Sequence, residues 1–275
     1  MADTTAHHKW GQNFLIDLNL MRLLVKTACL KGNETVLEVG CGTGSLTDLL
    51  ATSAGAVITV DIDPILSQIA QTQLAQHSNI SMHCRDILVN KSTIAPEILT
   101  DIRQKRKQLN GPFYLIANLP YNIAAPLIID LLLGADIPDA IFVTIQTEVA
   151  QRITAQPSTK AYGQLTILTQ ALGQTKLIRR LNAQSFWPPP KVSSSMISWQ
   201  LDTEHRKSIT DINRLKKLAE LLIGHRRKKI KTCLADHPQL LDLLAAADVD
   251  PDARGETLPV QKFVTLANLW AAQKD

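Results

Sequence analysis

Aromatic side chains are scarce in this 275-residue chain, 4% in all, so each one that falls beside a loop calls for a reason. Cysteine is scarce too. Cys29, Cys41, Cys84 and Cys233 form no CxxC pair and stand at no spacing from histidine that would build a zinc site; they read as free thiols of a reducing compartment and imply no metal. Long apolar runs are missing. The most apolar stretch, Pro126 to Ile145, is broken by Asp130, Asp136 and Asp139, and the opening MADTTAHHKW has no apolar signal core. The expectation is a cytoplasmic protein with no membrane partner.

What is present suits a soluble globular protein: 45% hydrophobic and 20% charged residues, in a chain long enough for one large domain and a small one. The net charge of +4 is unevenly spread. Between Arg206 and Lys231, ten Lys and Arg stand against Asp211 and Glu220, so this stretch carries +8 and the rest of the chain −4. On charge alone such a block is either a polyanion footprint or a solvated helix face.

Periodicity predicts a helix over Leu18 to Leu30 and a strand over Thr35 to Val39. A glycine loop Gly40-Cys41-Gly42-Thr43-Gly44 follows, then a short helix and a strand Ala56 to Val60 ending in Asp61-Ile62-Asp63-Pro64. This β-loop-α-β unit implies a parallel sheet, and Pro64 suits the first turn of the next helix. Alternation continues through strands Ile80 to Cys84, Phe113 to Ala117 and Ala140 to Ile145, with Ser194 to Leu201 closing the sheet. Ser185 to Lys191, with three prolines, reads as a stiff loop. Polar Asp202 to Ser208 marks a boundary, beyond which Asp211 to Leu234, Pro238 to Ala247 and Pro259 to Ala272 carry helical spacing. The expected organisation is an α/β, Rossmann-like sheet domain over residues 1–201 and a smaller all-helical domain over 202–275.

Strand ends carry the chemistry in an open α/β sheet. Gly40, Gly42 and Gly44 let the backbone approach a ligand closely and aim helix N-terminal amides at it, but the third glycine stands one place short of the dinucleotide fingerprint. Asp61 ends the next strand, where its carboxylate can accept from both ribose hydroxyls, and Asp86 could accept from an adenine amino group. Adenine and ribose without phosphate describe S-adenosylmethionine. A fourth strand runs into Asn118-Leu119-Pro120-Tyr121, which reads either as a base-recognition edge or as an ordinary strand-to-loop junction.

VLEVGCGTGSLT (36–47), VDID (60–63), RDIL at Asp86 and NLPYNI (118–123) resemble the methyltransferase motifs of the ribosomal RNA adenine N6,N6-dimethyltransferase family. GQNFL (11–15), YGQL (162–165), FWPPPKV (186–192) and HRRKKIKTCL (225–234) are similar to its other signatures, so the resemblance covers nearly the whole chain. It is strongest to the small-subunit, kasugamycin-sensitivity branch. Cys41 and Thr43 stand where that family often has Pro and Leu, and Asp61 where Glu is usual; a carboxylate one methylene shorter must sit closer to the ribose.

The resemblance implies that Asn13, Leu15, Gly40, Gly42, Asp61, Asp86 and Asn118 hold S-adenosylmethionine, with no metal. It implies dimethylation of two adjacent adenines in the 3′-terminal hairpin loop of 16S ribosomal RNA, within the small subunit or its precursor, by a monomer. Asn118, Leu119, Pro120, Tyr121 and Phe186 would form the catalytic edge, and Arg226, Arg227, Lys228, Lys229 and Lys231 would contact RNA phosphates.

The chemistry fits those residue types. Adenine N6 is a poor nucleophile because its lone pair is delocalised into the ring. Acceptors at the Asn118 side chain and the Leu119 carbonyl favour a pyramidal nitrogen, Pro120 sets the turn, and Tyr121 offers a stacking face. Positioning then carries the reaction without a general base. Phe186 is a second stacking candidate with Trp187 behind it, unless both merely plug a loop. Three rivals stand: a large-subunit 23S methyltransferase, a non-catalytic RNA-binding assembly factor, and a small-molecule or DNA adenine methyltransferase.

Overall fold

The computed structural model describes residues 13–90 and 93–273, so Gly11 and Gln12 of the GQNFL phrase lie outside the described residues. The chain forms two compact units.

The first unit takes the chain up to Ala150 together with Lys176–Gln200. It opens with β1 (Phe14–Leu15) and α1 (Leu18–Ala28), whose start is capped by Asp17 accepting from the Asn19 and Leu20 amides. Next come β2 (Thr35–Val39), α2 (Ser45–Ala51), β3 (Ala56–Asp61), α3 (Pro64–Gln73), β4 (Ile80–Cys84), β5 (Leu88–Asn90) and β6 (Thr93–Ile94). Asp63 caps α3 through the Ile65 and Leu66 amides, with Pro64 in the first turn as its fixed φ favours. Then follow α4 (Pro96–Leu109), β7 (Phe113–Asn118), α5 (Ala124–Leu133), β8 (Ala140–Gln146) and α6 (Thr147–Ile153); after α7 (Gln164–Leu172), which belongs to the second unit, come β9 (Gly173–Leu181), β10 (Phe186–Trp187) and β11 (Ser194–Leu201).

The main sheet has the order β4-β3-β2-β7-β8-β11-β9. Strands β4, β3, β2, β7 and β8 pair in parallel, and β11 joins β8 antiparallel. Every residue of β2 and of β3 is buried, as expected for parallel strands covered on both faces. Because β2 leads to β3 on one side and has β7 on the other, the order reverses there, and the crevice outside the carboxyl ends of these strands is where such a sheet takes its ligand. The sheet is the expected Rossmann-like one.

The second unit gathers Gln151–Thr175 with the residues from Leu201 on. It adds α8 (Thr203–Ser208), α9 (Ile212–Ile223), α10 (Ile230–Cys233), α11 (Pro238–Leu241) and α12 (Val260–Ala272) to α7. Residues 151–175 therefore group with the C-terminal helices instead of the sheet, because α7, α9 and α12 pack on one another and the buried Tyr162 hydroxyl donates to the Leu258 carbonyl at 2.7 Å. The single boundary at residue 201 that the sequence suggests misses this return. The expected long helix Asp211 to Leu234 is also broken: α9 ends at Ile223, Gly224 follows, and the chain turns until Ile230. Pro238 to Ala247 is likewise only a four-residue helix followed by turns. Among the described residues no helix is long and apolar enough to cross a membrane.

Candidate active site

The glycine loop turns sharply: Gly40, Gly42 and Gly44 have φ of 84°, 55° and 91°. These values are costly for any side chain. A Cβ would also be crowded. A Cβ on Gly40 would stand 3.2 Å from Pro120, and one on Gly42 would stand 3.0 Å from the Phe14 ring. The loop amides, however, are not all aimed at a ligand as the sequence suggests. Gly40 N donates to Val60 O at 2.8 Å, Gly42 N to Asp61 Oδ2 at 2.8 Å, and Gly44 N to Cys41 O at 2.9 Å.

Asp61, the last residue of β3, is buried and held at both oxygens, by Gly42 N and by Asp63 N at 3.0 Å. Burial pushes its carboxyl above the usual range, while these two amides pull it back. The shorter carboxylate is thus spanned across the loop and β3, with its remaining lone pairs at the crevice wall. Asp86 lies exposed beyond β4, its Oδ1 accepting from Leu88 N at 2.9 Å. Val39, Gly40, Asp61, Asp86, Asn118 and Pro120 line one cleft with Asn13 and Phe14. An adjoining one is lined by Leu15, Glu38, Cys41 and Asn118. The residues expected to hold a nucleoside and its tail therefore meet, except Gly42, which shapes the loop through Asp61 and touches the wall only by way of Phe14.

Asn118 ends β7 in register with Thr144 of β8. Its Nδ2 donates to Asn13 O at 2.9 Å, and its Oδ1 accepts from the Thr144 hydroxyl. The Asn13 carbonyl can only accept, so it fixes which end of the amide is nitrogen. One Oδ1 lone pair is already occupied, leaving the other for a substrate N–H. Leu119 N donates to Thr144 O at 3.1 Å, and among the described residues no donor meets the Leu119 carbonyl. The Pro120 carbonyl accepts from Ile123 and Ala124, closing the turn. Tyr121 is half-buried, and its hydroxyl is hydrogen-bonded to Ser194 Oγ at 2.5 Å, which pins the ring.

Phe186 does not offer a stacking face. It is only 1% exposed, pairs with Leu15 across the two-stranded β1–β10 sheet, and belongs to the core cluster with Leu20, Leu24 and Met196. Trp187 points the other way: it is 47% exposed and its ring stacks on Phe14, centroids 6.2 Å apart and planes at 19°. In a strand neighbouring side chains face opposite sides, so one of the two aromatics has to leave the core.

The basic phrase HRRKK occupies the turn after α9, not a helix face. Arg226 is half-buried; it donates to Tyr162 O and Thr159 O at 2.6 and 2.9 Å and pairs with Glu256 at 2.7 Å. Lys229 and Lys231 both meet Asp252, at 2.7 and 2.8 Å. Arg227 and Lys228 are exposed with no ion pair among the described residues. The basic segment of α4 is also neutralised in part, through Arg103–Asp136 and Arg106–Asp139 at 2.7 and 3.0 Å.

Sequence reasoning missed Phe14 and Thr144 as parts of the site, whereas Glu38, a polar strand end at the glycine loop, does line the adjoining cleft. Glu38 is buried, accepts from Thr47 at 2.6 Å and Thr59 at 2.9 Å, and burial raises its carboxyl to about 7.

A Rossmann-like sheet whose switch-point crevice is bordered by a glycine-rich loop and by two strand-end carboxylates, Asp61 and Asp86, has the architecture of an S-adenosylmethionine-dependent methyltransferase. The comparisons narrow this class. Residues 3–272 match the family model described as ribosomal RNA adenine dimethylase, and the chain belongs to that family. It is similar to the ribosomal RNA small subunit methyltransferase A of Phenylobacterium zucineum, with 33% identity covering 98% of this chain and 92% of the relative. The protein of the same name from Caldanaerobacter subterraneus is 32% identical, with 96% of each chain covered. A dimethyladenosine transferase from Plasmodium falciparum shares the fold at a TM-score of 0.73, with 21% identity over 92% of this chain and 95% of that one.

Proposed function

We propose that this protein transfers methyl groups from S-adenosylmethionine to the N6 amines of two adjacent adenines near the 3′ end of 16S ribosomal RNA, during assembly of the small subunit. The observation that carries the reading is the oriented Asn118 amide beside the Leu119 carbonyl, which no donor among the described residues meets, next to the cofactor crevice and a pinned tyrosine. The names of the nearly full-length relatives support the small subunit over the 23S alternative.

When bound, S-adenosylmethionine supplies a methyl group activated by a sulfonium centre. Asp61 would hold the ribose and Asp86 the adenine amine, with Asn13, Leu15 and Gly40 closing the walls. Asn118 Oδ1 and the Leu119 carbonyl accept the two N6 hydrogens of the target, drawing its lone pair out of ring conjugation and toward the donor. Tyr121 stacks on the base. Trp187, resting on Phe14, takes the second stacking role that the buried Phe186 cannot. The accelerating terms are positioning and fixed dipoles, and the N6 proton leaves after transfer, so no general base is needed.

Of the five basic residues, Arg227 and Lys228 are the foremost phosphate contacts, whereas Arg226 secures the turn that carries them. Lys229 and Lys231 share a single carboxylate and keep net positive charge there. We take the protein to act as a monomer in the cytoplasm. Incubating it with labelled S-adenosylmethionine and unmethylated small-subunit particles, with 23S RNA in parallel, tests the reading. Label confined to 16S RNA is expected; label on 23S RNA, or binding without transfer, would overturn it.

A further inference from the structure

The sheet edge carries charge that neither the crevice nor the basic turn accounts for. Residues 149–201 contain six Lys and Arg and not one Asp or Glu. Three of the six, Lys176, Arg179 and Arg180, lie exposed on β9, the outermost strand of the main sheet, and Lys191 lies exposed after the proline loop. Among the described residues none of these four meets a carboxylate. That sets them apart from Arg103, Arg106, Lys229 and Lys231, each of which does.

Position adds to charge. Ile178 and Leu181 anchor β9 on the same core cluster as Phe186 and Leu15. From Leu181 the chain passes through the turn Ala183–Ser185, where Ser185 O accepts from Ile16 N at 2.9 Å, into β10 and the exposed Trp187. The cations therefore lie on a strand that leads, through one short turn, to Trp187, whose ring stacks on Phe14 of the crevice wall. Unneutralised cations interleaved with an exposed aromatic are what a phosphate backbone selects, since each contact releases condensed counterions.

We propose that β9, through Lys176, Arg179 and Arg180, is an RNA-backbone contact of the catalytic unit itself, leading the strand that carries the target adenines toward Trp187 and Tyr121. This rests on RNA being the substrate. Charge on an edge strand also discourages edge-to-edge pairing, and a role confined to that would leave RNA affinity untouched.

The test measures binding of the full chain to unmethylated small-subunit ribosomal RNA by fluorescence anisotropy across a salt series. Arg179→Gln/Arg180→Gln is compared with Lys105→Gln/Lys107→Gln, which removes equal charge from α4, and with the charge-keeping Arg179→Lys/Arg180→Lys. S-adenosylmethionine affinity, unchanged in all three, reports an intact fold. The β9 glutamine pair should lose about tenfold in RNA affinity, and its log-affinity against log-salt slope should flatten by about 2, while the α4 pair and the lysine pair stay near wild type. Equal losses from β9 and α4 would reduce the effect to bulk charge, and no loss from β9 would remove the contact; either overturns the proposal while RNA remains the substrate. Failure of the wild type both to bind RNA and to methylate it would instead remove the functional reading, and this proposal with it.

Discussion

The Thr144 hydroxyl donates to Asn118 Oδ1, joining two neighbouring parallel strands at the point where the proposed mechanism holds the target amine. With Nδ2 committed to the Asn13 carbonyl, the amide cannot rotate without losing both bonds. Thr144→Val keeps the shape and deletes the donor. A positioning hydrogen bond of about 1–1.5 kcal/mol corresponds to a fall of about tenfold in kcat. S-adenosylmethionine affinity, by calorimetry, should stay within about threefold of wild type.

Gly42→Ala should weaken S-adenosylmethionine binding by about tenfold or more. The left-handed φ of 55° costs alanine about 1–2 kcal/mol, and its Cβ would press on the Phe14 ring at 3.0 Å, shifting a crevice wall. Titration calorimetry on the variant checks this, and thermal melting separates the stability loss from the binding loss.

Glu38 sets a pH dependence of stability. Its carboxyl is raised by burial from 4.5 in the open chain to about 7 in the fold. Folding therefore favours the protonated form: the stabilisation is fully present below pH 4.5 and is lost as pH rises through about 7. The loss is about 3 kcal/mol. Denaturant titrations of wild type and Glu38→Gln across this range should show the variant gaining relative to wild type as pH increases. A constant difference would mean that Glu38 titrates alike in both states.

The two adjacent aromatics should separate cleanly. Phe186→Ala removes a core side chain and should cost about 3–5 kcal/mol in urea unfolding. Trp187→Ala should leave stability within about 1 kcal/mol, because the ring is half out of the protein, and should instead raise KM for RNA.

In the basic turn, Arg226→Ala removes bonds to two carbonyls and to Glu256 and should lower the melting temperature. Arg227→Ala/Lys228→Ala should leave the melting temperature unchanged and weaken RNA binding in a salt-dependent way.

Much of this was legible in the chain. Continuous apolar strands, the glycine loop and the polar strand ends Asp61 and Asn118 are local patterns, and they mark out the sheet and its crevice. What escaped is non-local. Thr144 sits in an apolar run, and its bond to Asn118 depends on register, which no single strand encodes. Two-residue strands such as β10 have no period, so nothing in FWPPPKV says which aromatic turns inward. Arg226 reaches carbonyls 64 and 67 residues away, so a charge run that reads as one footprint divides into a clamp, two lysines on one carboxylate and, among the described residues, two cations without an ion pair. The grouping of residues 151–175 with the C-terminal helices is hidden for the same reason.

In the proposed mechanism an oriented Asn118 amide selects and activates adenine N6. The most direct measurement is nucleoside analysis of unmethylated small-subunit particles after incubation with S-adenosylmethionine and either the wild type or Asn118→Ala, with cofactor and RNA binding measured in parallel. N6,N6-dimethyladenosine in 16S RNA is expected from the wild type, and at least a hundredfold less from a variant that still binds RNA. Full dimethylation by Asn118→Ala, or none by a wild type that binds both cofactor and particle, would contradict it.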